Sequence, residues 1–123
     1  MTEHKATGLR RIIRAGIFSV AGIRAALRSE AAFRQECALA LVMIPAAFWL
    51  GRTGLERIAL IAPVLLVLIV ELLNSAVEAV VDRIGTEHHP LSGQAKDMGS
   101  AAVFISLLLT AAIWATISWQ RFA

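Results

Sequence analysis

The sequence predicts an all-α integral membrane protein, with three transmembrane helices and an N-terminal amphipathic helix on the membrane surface. The 123 residues are 58% hydrophobic, which is more than a soluble domain usually carries. Three apolar segments approach or exceed the ~20 residues that a helix needs to cross a bilayer core of ~30 Å. Residues 1–34 hold seven Lys and Arg against two Glu, so this segment has a net charge of +5.

The surface helix is predicted at about residues 9–28, because apolar and basic residues there fall on opposite sides of a helical wheel. The basic side carries Arg10, Arg14, Arg24 and Arg28. A basic amphipathic helix of this kind binds anionic lipid headgroups through its polar face. Nucleic acid is a much weaker candidate partner, since the rest of the chain is apolar, and we expect no nucleic-acid binding.

The three spans are predicted at about residues 31–50, 56–84 and 96–120, in one membrane domain that covers residues 1–123. Residues 51–57 are expected to form a tight turn. Residues 83–97 form the one substantial polar loop, which Pro90 and Gly93 are expected to keep irregular. The excess of basic residues before the first span predicts a cytoplasmic N-terminus by the positive-inside rule.

A polar stripe on the second span places two carboxylates inside an otherwise apolar helix. The stripe follows positions i, i+3, i+4, i+7 and i+11, which share roughly a 100° arc of one helical face. An ionised carboxylate in a bilayer costs a few kcal/mol or more, and it usually faces a cation, a partner helix or a water-filled cavity. The stripe is therefore the candidate functional site, and it consists of Glu71, Asn74, Ser75, Glu78 and Asp82.

Further acidic residues, Glu30, Glu36 and Asp97, lie close to the predicted cytoplasmic boundary of the membrane. Carboxylates near Lys96 suit Mg²⁺, which takes one or two of them and leaves its other positions to phosphate oxygens and water. They also suit proton abstraction, because a desolvated carboxylate is a stronger base. Polar contacts between helices are the alternative role, and this alternative is favoured for Glu36 and Asp82.

A nucleotide site, if present, has to be unconventional, because the Walker pattern G-x-x-x-x-G-K-[ST] is missing. It would be built from helix ends and the loop at residues 85–97. The adjacent His88 and His89 are either nucleotide contacts or ordinary solvated loop residues. Adjacent histidines on a loop seldom converge on one metal ion.

Three strings now carry a specific resemblance: EAAFRQE at 30–36, VELLNSAVEAVVDRIG at 70–85 and LSGQAKDMGSAA at 91–102. They resemble the bacterial diacylglycerol kinase family of small integral-membrane lipid kinases, and the likeness runs from about Thr7 to Phe122. The resemblance implies a homotrimer in the bacterial inner membrane, with active sites shared between neighbouring subunits. It implies transfer of the γ-phosphate of ATP, with Mg²⁺ as cofactor, to the hydroxyl group of diacylglycerol.

The resemblance also assigns roles to matching residues. Glu71 corresponds to the general base that takes the proton of the lipid hydroxyl, and Asn74 supports the cluster that Glu71 forms with Glu30 and Glu78. Glu30 and Glu78 match the Mg²⁺ ligands. The nucleotide contacts are matched by Arg11, Phe18, Glu87, His88, His89, Lys96 and Asp97. Ser100 matches a residue that lines the lipid site, and the other candidate lipid contacts are Arg24, Glu36, Trp49, Trp114 and Trp119.

The sequence departs from the family at two places. Gln94 stands where the family usually has Arg, and Val20 and Ala21 stand where the best-known members have Trp and Lys. A related branch of the same fold phosphorylates undecaprenol, so this lipid alcohol is an alternative substrate. A small proton-coupled transporter is an alternative of a different class, although such exporters usually have four spans. A structural subunit of a larger assembly is the third alternative.

Overall fold

The computed structural model describes residues 2–123, with side chains described from residue 7 onward. The chain forms four helices: α1 (Thr2–Ser29), α2 (Ala31–Leu50), α3 (Gly54–Ile84) and α4 (Pro90–Phe122). No strand occurs within residues 2–123. Helices α2, α3 and α4 are each long and apolar enough to cross a membrane. The prediction of an all-α protein with three candidate spans is confirmed.

Helix α1 is followed at once by α2, with a single extended residue, Glu30, at the elbow between them. Arg34, in the first turn of α2, donates hydrogen bonds from Nη1 to the carbonyl oxygens of Leu27 and Arg28, at 2.8 and 3.1 Å. These carbonyls belong to the last turn of α1, where the helix itself offers no donors. The arginine thus ties the end of α1 to α2 and fixes the position of the Glu30 elbow.

The turn between α2 and α3 is shorter than the predicted 51–57, because α3 begins at Gly54 and leaves residues 51–53 as the connection. The Thr53 hydroxyl accepts a hydrogen bond from the backbone N–H of Glu56 at 3.1 Å, and the Glu56 carboxylate accepts one from the backbone N–H of Arg52 at 2.9 Å. This arrangement resembles a capping box, although the carboxylate binds the residue before the N-cap Thr53, and it starts α3 at Gly54. Gly51 is needed for the close approach, because a Cβ atom there would lie 2.7 Å from Cγ of Arg57.

The connection between α3 and α4 is shorter than predicted. Helix α4 begins at Pro90, so residues 90–97 are helical and the expectation that Pro90 and Gly93 keep this segment irregular is wrong. The His89 side chain caps the helix, since its Nδ1 accepts a hydrogen bond from the backbone N–H of Leu91 at 3.1 Å. Proline suits the first helical position because its φ is already helical and its missing N–H would have no partner there.

Helix α3 is the central element of the bundle, and it packs against both α2 and α4. Two hydrogen bonds join α3 and α4 directly. The Thr110 hydroxyl donates to the carbonyl oxygen of Ser106 in α4 at 2.8 Å and, more weakly, to that of Pro63 at 3.3 Å. Trp114 donates from Nε1 to the carbonyl oxygen of Leu60 at 3.0 Å. A small apolar core, Ala47, Leu50, Leu60 and Ile117, closes the end of the bundle that carries the α2–α3 turn.

Candidate active site

Glu71 lies at the centre of an acidic cluster that three segments of the chain build together. Its side chain is buried in the middle of α3. The carboxyl groups of Glu30, Glu36 and Glu78 all interact electrostatically with that of Glu71. Glu30 comes from the elbow after α1, Glu36 from the second turn of α2, and Glu78 from α3 itself. These four carboxyl groups therefore lie near enough to interact within a single chain.

Glu36 is the direct neighbour of Glu71 across the α2–α3 interface. Its Oε2 atom is buried and has no hydrogen-bond partner among the described residues. Two adjacent carboxylates in an apolar surrounding repel each other and lack solvation, so a cation or a proton stabilises the pair. The pair is also a polar contact between α2 and α3, which is the role that the sequence favoured for Glu36.

Asn74 links the acidic stripe to helix α4. Its Nδ2 lies 3.4 Å from Oε1 of Glu78, while its Oδ1 is buried without a hydrogen-bond partner among the described residues. A Cβ atom built on Gly99 of α4 would collide with Oδ1 of Asn74. Helices in membranes approach most closely where one of them carries a small residue. Sequence reasoning missed Gly99, for which the run of small residues at 99–102 was the available signal.

Lys96 forms an ion pair with Asp82, and Nζ and Oδ1 are 2.9 Å apart. It also interacts with the charge of Glu78. Both side chains of the pair are well exposed, so the pair adds little stability on its own. The ion pair places the start of α4 beside the end of the acidic stripe. The ammonium group of Lys96 therefore lies near the carboxylates of Asp82 and Glu78.

A polar cavity of about 230 Å³ lies between the end of α3 and the start of α4. It is lined by the predicted nucleotide residues Glu87, His88, His89 and Lys96, together with Asp82. The structure therefore brings four of the seven predicted nucleotide contacts together. The other three do not line it, since Arg11 and Phe18 lie on the exposed α1 and Asp97 on the exposed side of α4.

A second cavity, of about 560 Å³ and mostly apolar, separates α1 from α3. Glu30 and Ser75 line it, so the cavity adjoins the acidic cluster. Most of its remaining lining was not predicted, since small and apolar residues on two helices carry no chemical signal by themselves. These lining residues are Ser19, Gly22, Ile23, Ala25, Ala26, Ser29, Leu72, Ala76 and Ala79.

Among the remaining candidate lipid contacts, the three tryptophans lie away from the acidic cluster in the single chain. Arg24 lines a wide groove on α1, and Ser100 is exposed on α4. Trp49, Trp114 and Trp119 lie near the end of the bundle with the α2–α3 turn. The indole of Trp114 is bound to Leu60, which is about 16 Å along α3 from Glu71 at 1.5 Å per residue.

The residues present fit a hard divalent cation that is held mainly by its substrate. Among the described residues, no group of three or more His, Cys, Asp or Glu side chains could hold a metal ion alone. Mg²⁺ does not need such a cage, because it keeps several waters and binds through one or two carboxylates and the phosphates of a nucleotide. The carboxylates around Glu71 supply ligands of this type.

The fold and the cluster together define a small helical membrane protein with an acidic site beside one end of its spans. The family profile of prokaryotic diacylglycerol kinase matches residues 17–118. Among relatives that bear the name diacylglycerol kinase, the Haemophilus influenzae protein is 54% identical over 93% of this chain and 97% of its own. The Escherichia coli protein is 53% identical over 94% of this chain and 95% of its own. The Pseudomonas aeruginosa protein is 58% identical over 90% of each chain. The chain belongs to the prokaryotic diacylglycerol kinase family.

This membership confirms the resemblance carried by the three sequence strings, and it identifies the chain as a kinase of bacterial membranes. A kinase family implies a nucleotide co-substrate. The transporter and the structural subunit are therefore set aside as functions.

Proposed function

We propose that the protein transfers the γ-phosphate of ATP to the hydroxyl group of diacylglycerol and so forms phosphatidate. A bond forms between the lipid oxygen and the γ-phosphorus, the bond from that phosphorus to the bridging oxygen breaks, and ADP leaves. The hydroxyl proton passes to a protein base. The observation that carries the proposal is the acidic cluster around Glu71, which lies beside an apolar cavity and near a polar one.

Glu71 is the proposed general base. It is the most buried member of the cluster, with 5% of its surface exposed, and it lies deeper along α3 than Glu78 by about 10 Å of helical rise. A base at this depth lies on the membrane side of the cluster, where a lipid hydroxyl arrives. A base must come within hydrogen-bond reach of the proton it removes, so diacylglycerol is proposed to bind with its hydroxyl group toward Glu71.

Glu30 and Glu78 are the proposed Mg²⁺ ligands, and Asn74 holds Glu78 in place through their hydrogen bond. When bound, the ion neutralises charge on the transferred phosphoryl group, which is the main task of a protein that catalyses this reaction. Asn74 in turn is held by its contact with Gly99. Helix α4 therefore positions a residue of the stripe on α3.

The nucleotide is proposed to bind at the polar cavity, where Lys96, His88 and His89 lie together with Glu87. Lys96 supplies a positive charge for the phosphates. Arg11, Phe18 and Asp97 lie outside this cavity in one chain, so we propose that they reach a nucleotide in a homotrimer with shared active sites. The carboxyl end of α3 and the start of α4 then face the cytoplasm, as does the N-terminus.

Diacylglycerol is proposed to enter the apolar cavity sideways from the cytoplasmic leaflet of the inner membrane. Helix α1 forms one wall of this cavity and is proposed to lie on the membrane surface with its arginines toward the headgroups. Arg24 and Ser100 are proposed lipid contacts at this end of the molecule, with Glu36 beside the base. Trp49, Trp114 and Trp119 are proposed to contact lipid at the opposite end.

The test is transfer of label from γ-labelled ATP, with Mg²⁺, to diacylglycerol and separately to undecaprenol in mixed micelles. Labelled phosphatidate is expected with the wild-type protein. Glu71→Gln should lower turnover by about 10² to 10⁴-fold, the usual contribution of a general base, with ATP binding retained. Glu56→Gln is the matched control, since Glu56 lies at the other end of α3 and glutamine keeps its capping acceptor.

The outcomes separate the chemistry from the choice of acceptor. Label in undecaprenyl phosphate alone would keep the catalytic proposal and replace the lipid substrate. Unchanged turnover in Glu71→Gln would remove Glu71 as the base. A lack of label in both lipids would contradict the proposed reaction.

A further inference from the structure

Two arginines meet at the end of the bundle that is opposite the acidic cluster. Arg52 lies in the turn between α2 and α3, and Arg121 lies in the last turn of α4. The Arg52 side chain donates from Nη2 to the backbone carbonyl oxygen of Arg121 at 3.1 Å. Both arginines line a cavity of about 160 Å³, whose other lining residues are Glu56, Ile117 and Gln120.

Two arginines and one glutamate line this cavity, so its lining keeps a net positive charge. Among the described residues, the ion pair is that of Lys96 and Asp82, at the other end of the bundle. The nearby Glu56 carboxylate accepts its hydrogen bond from the backbone N–H of Arg52 instead of the guanidinium group. The Nε atom of Arg121 is buried without a hydrogen-bond partner among the described residues. A buried donor on a charged group that lacks its acceptor is costly.

Screening of the carbonyl groups at the end of α4 is the simpler role for these arginines, since cations stabilise the C-terminus of a helix. Arg52 does this with one nitrogen. The role does not explain why Nε of Arg121 is enclosed without an acceptor among the described residues. An anion in the cavity would account for it.

The surroundings of the cavity indicate a lipid headgroup as the source of this anion. Trp119 and Phe122 are 75% and 65% exposed, and the Phe122 ring lies 5.8 Å from that of Trp49, centroid to centroid. Exposed aromatic residues at the ends of membrane helices are typical of the headgroup level. At this depth the abundant anion is the phosphate of a phospholipid.

We propose that Arg52, Gln120 and Arg121 form a binding site for the phosphate group of an anionic phospholipid. A guanidinium group offers paired N–H donors that match phosphate oxygens, and the Gln120 amide adds a donor. The site is distinct from the kinase site, because the start of α3 at Glu56 is about 22 Å from Glu71 along the helix. A bound lipid would join the α2–α3 turn to the end of α4.

The chain offers a local readout of this site. Its three tryptophans, Trp49, Trp114 and Trp119, all lie toward this end, whereas the basic helix α1 has none. Quenching of tryptophan fluorescence by phospholipids with brominated acyl chains therefore reports lipid at this end and not at α1. The purified protein is placed in vesicles that contain either brominated phosphatidylglycerol or brominated phosphatidylcholine, and the relative binding constant of the two lipids is measured.

We expect the wild-type protein to prefer phosphatidylglycerol. Replacing both arginines (Arg52→Gln with Arg121→Gln) should lower this preference by about fivefold per arginine, the effect of one basic residue near an anionic surface. Arg121→Gln alone keeps the hydrogen bond from Arg52 to the backbone of residue 121, so it serves as a variant with an intact helix end. It should lose about fivefold.

Arg83→Gln is the matched control, since it removes a positive charge from the last turn of α3 at the other end of the bundle; its lipid preference should equal that of the wild type. Three results would overturn the proposal: equal quenching by the two lipids in the wild type, a preference that survives in the double variant, or an equal loss in Arg83→Gln. Inorganic phosphate is added at constant ionic strength in a separate arm. If it displaces phosphatidylglycerol, the site belongs to a soluble anion and the lipid assignment is wrong.

Discussion

Individual side chains in this protein derive their chemistry from where the helices hold them. Glu36 and Glu71 come from different helices and face each other with little solvent. In water both would be ionised and far apart, and neither would be a notable base or ligand. Held together in an apolar surrounding, they favour a proton or a cation nearby. The proposed phosphate transfer would provide both, since it releases a proton and would bring a nucleotide with its metal ion.

The first prediction concerns Glu78, the proposed metal ligand. Glu78→Gln removes the charge but keeps an oxygen that can accept the hydrogen bond from Asn74. Activity is expected to fall by about 10²-fold or more, the usual cost of removing one electrostatic contact to a transition state. Raising the Mg²⁺ concentration should not restore it. The measurement is a Mg²⁺ titration of kinase activity, and a titration curve like that of the wild type would rule out Glu78 as a ligand.

The second prediction concerns Gly99, which is in contact with Asn74. In Gly99→Ala the new methyl group meets Oδ1 of Asn74, so either α4 moves away or the amide turns from Glu78. Stability should fall by about 1–3 kcal/mol, as for other overpacked interiors, and kinase activity should fall with it. Resistance to unfolding by dodecyl sulfate and the rate of phosphate transfer are measured together.

Gly93→Ala is the control for this variant, because nothing lies within 4 Å of a Cβ atom at Gly93. Alanine is the better helix former, by about 1 kcal/mol, so Gly93→Ala should be as stable as the wild type or more so. Equal behaviour of the two variants would show that the contact between Gly99 and Asn74 does not matter.

Helices α3 and α4 are joined by hydrogen bonds as well as by apolar packing. The backbone carbonyl groups of Leu60 and Pro63 accept bonds from Trp114 and Thr110 of α4. In a bilayer the hydrophobic effect does not drive helices together, so close packing and hydrogen bonds between helices set their register. These two bonds lie on the same side as the Asn74–Gly99 contact and hold α4 in register with the acidic stripe.

The third prediction tests this pairing of helices. Trp114→Phe keeps an aromatic ring but loses the donor to Leu60, so the protein should be destabilised by about 0.6–1.7 kcal/mol, the range found for such bonds in membranes. Trp119→Phe is the control, since Trp119 is exposed, and it should change stability little. Unfolding curves in dodecyl sulfate compare the two variants, and an equal stability of both would contradict the assigned role of Trp114.

A single chain of this protein has more surface than a compact soluble monomer. Its accessible surface is 9182 Å², whereas a compact monomer of 13.3 kDa would expose about 6,500 Å². Large apolar side chains, among them Ile12, Leu41 and Leu55, make up much of the excess. Such a surface is unstable in water and suits lipid and neighbouring subunits. The separation of Arg11, Phe18 and Asp97 from the polar cavity is a second reason to expect an assembly.

The fourth prediction is therefore that the purified protein in detergent is a homotrimer. Its protein mass, from light scattering with the detergent contribution subtracted, should be about three times the 13.3 kDa of one chain. Dilution to the monomer should abolish kinase activity, because the shared sites come apart. A monomer that remains fully active would contradict both the trimer and the shared sites.

Much of the fold and part of the site follow from local patterns in the chain. The lengths of the apolar runs predict the three spans, and the helical period alone places Glu71, Asn74 and Glu78 on one face of α3. The two glycines and the polar residues of 51–57 predict a tight turn before it. The family resemblance predicts the kinase reaction. It can be read from the sequence because each of the three strings that carry it is contiguous.

Contacts between distant residues were decided only by how the helices pack. The approach of Gly99 to Asn74, the ion pair of Lys96 with Asp82 and the meeting of Arg52 with Arg121 depend on the rotation and separation of whole helices. The start of α4 at Pro90 was predicted wrongly, because proline is as common after the end of a helix as in its first turn. Periodicity says which side chains share a face of one helix, whereas their partners on another helix are set by packing along its whole length.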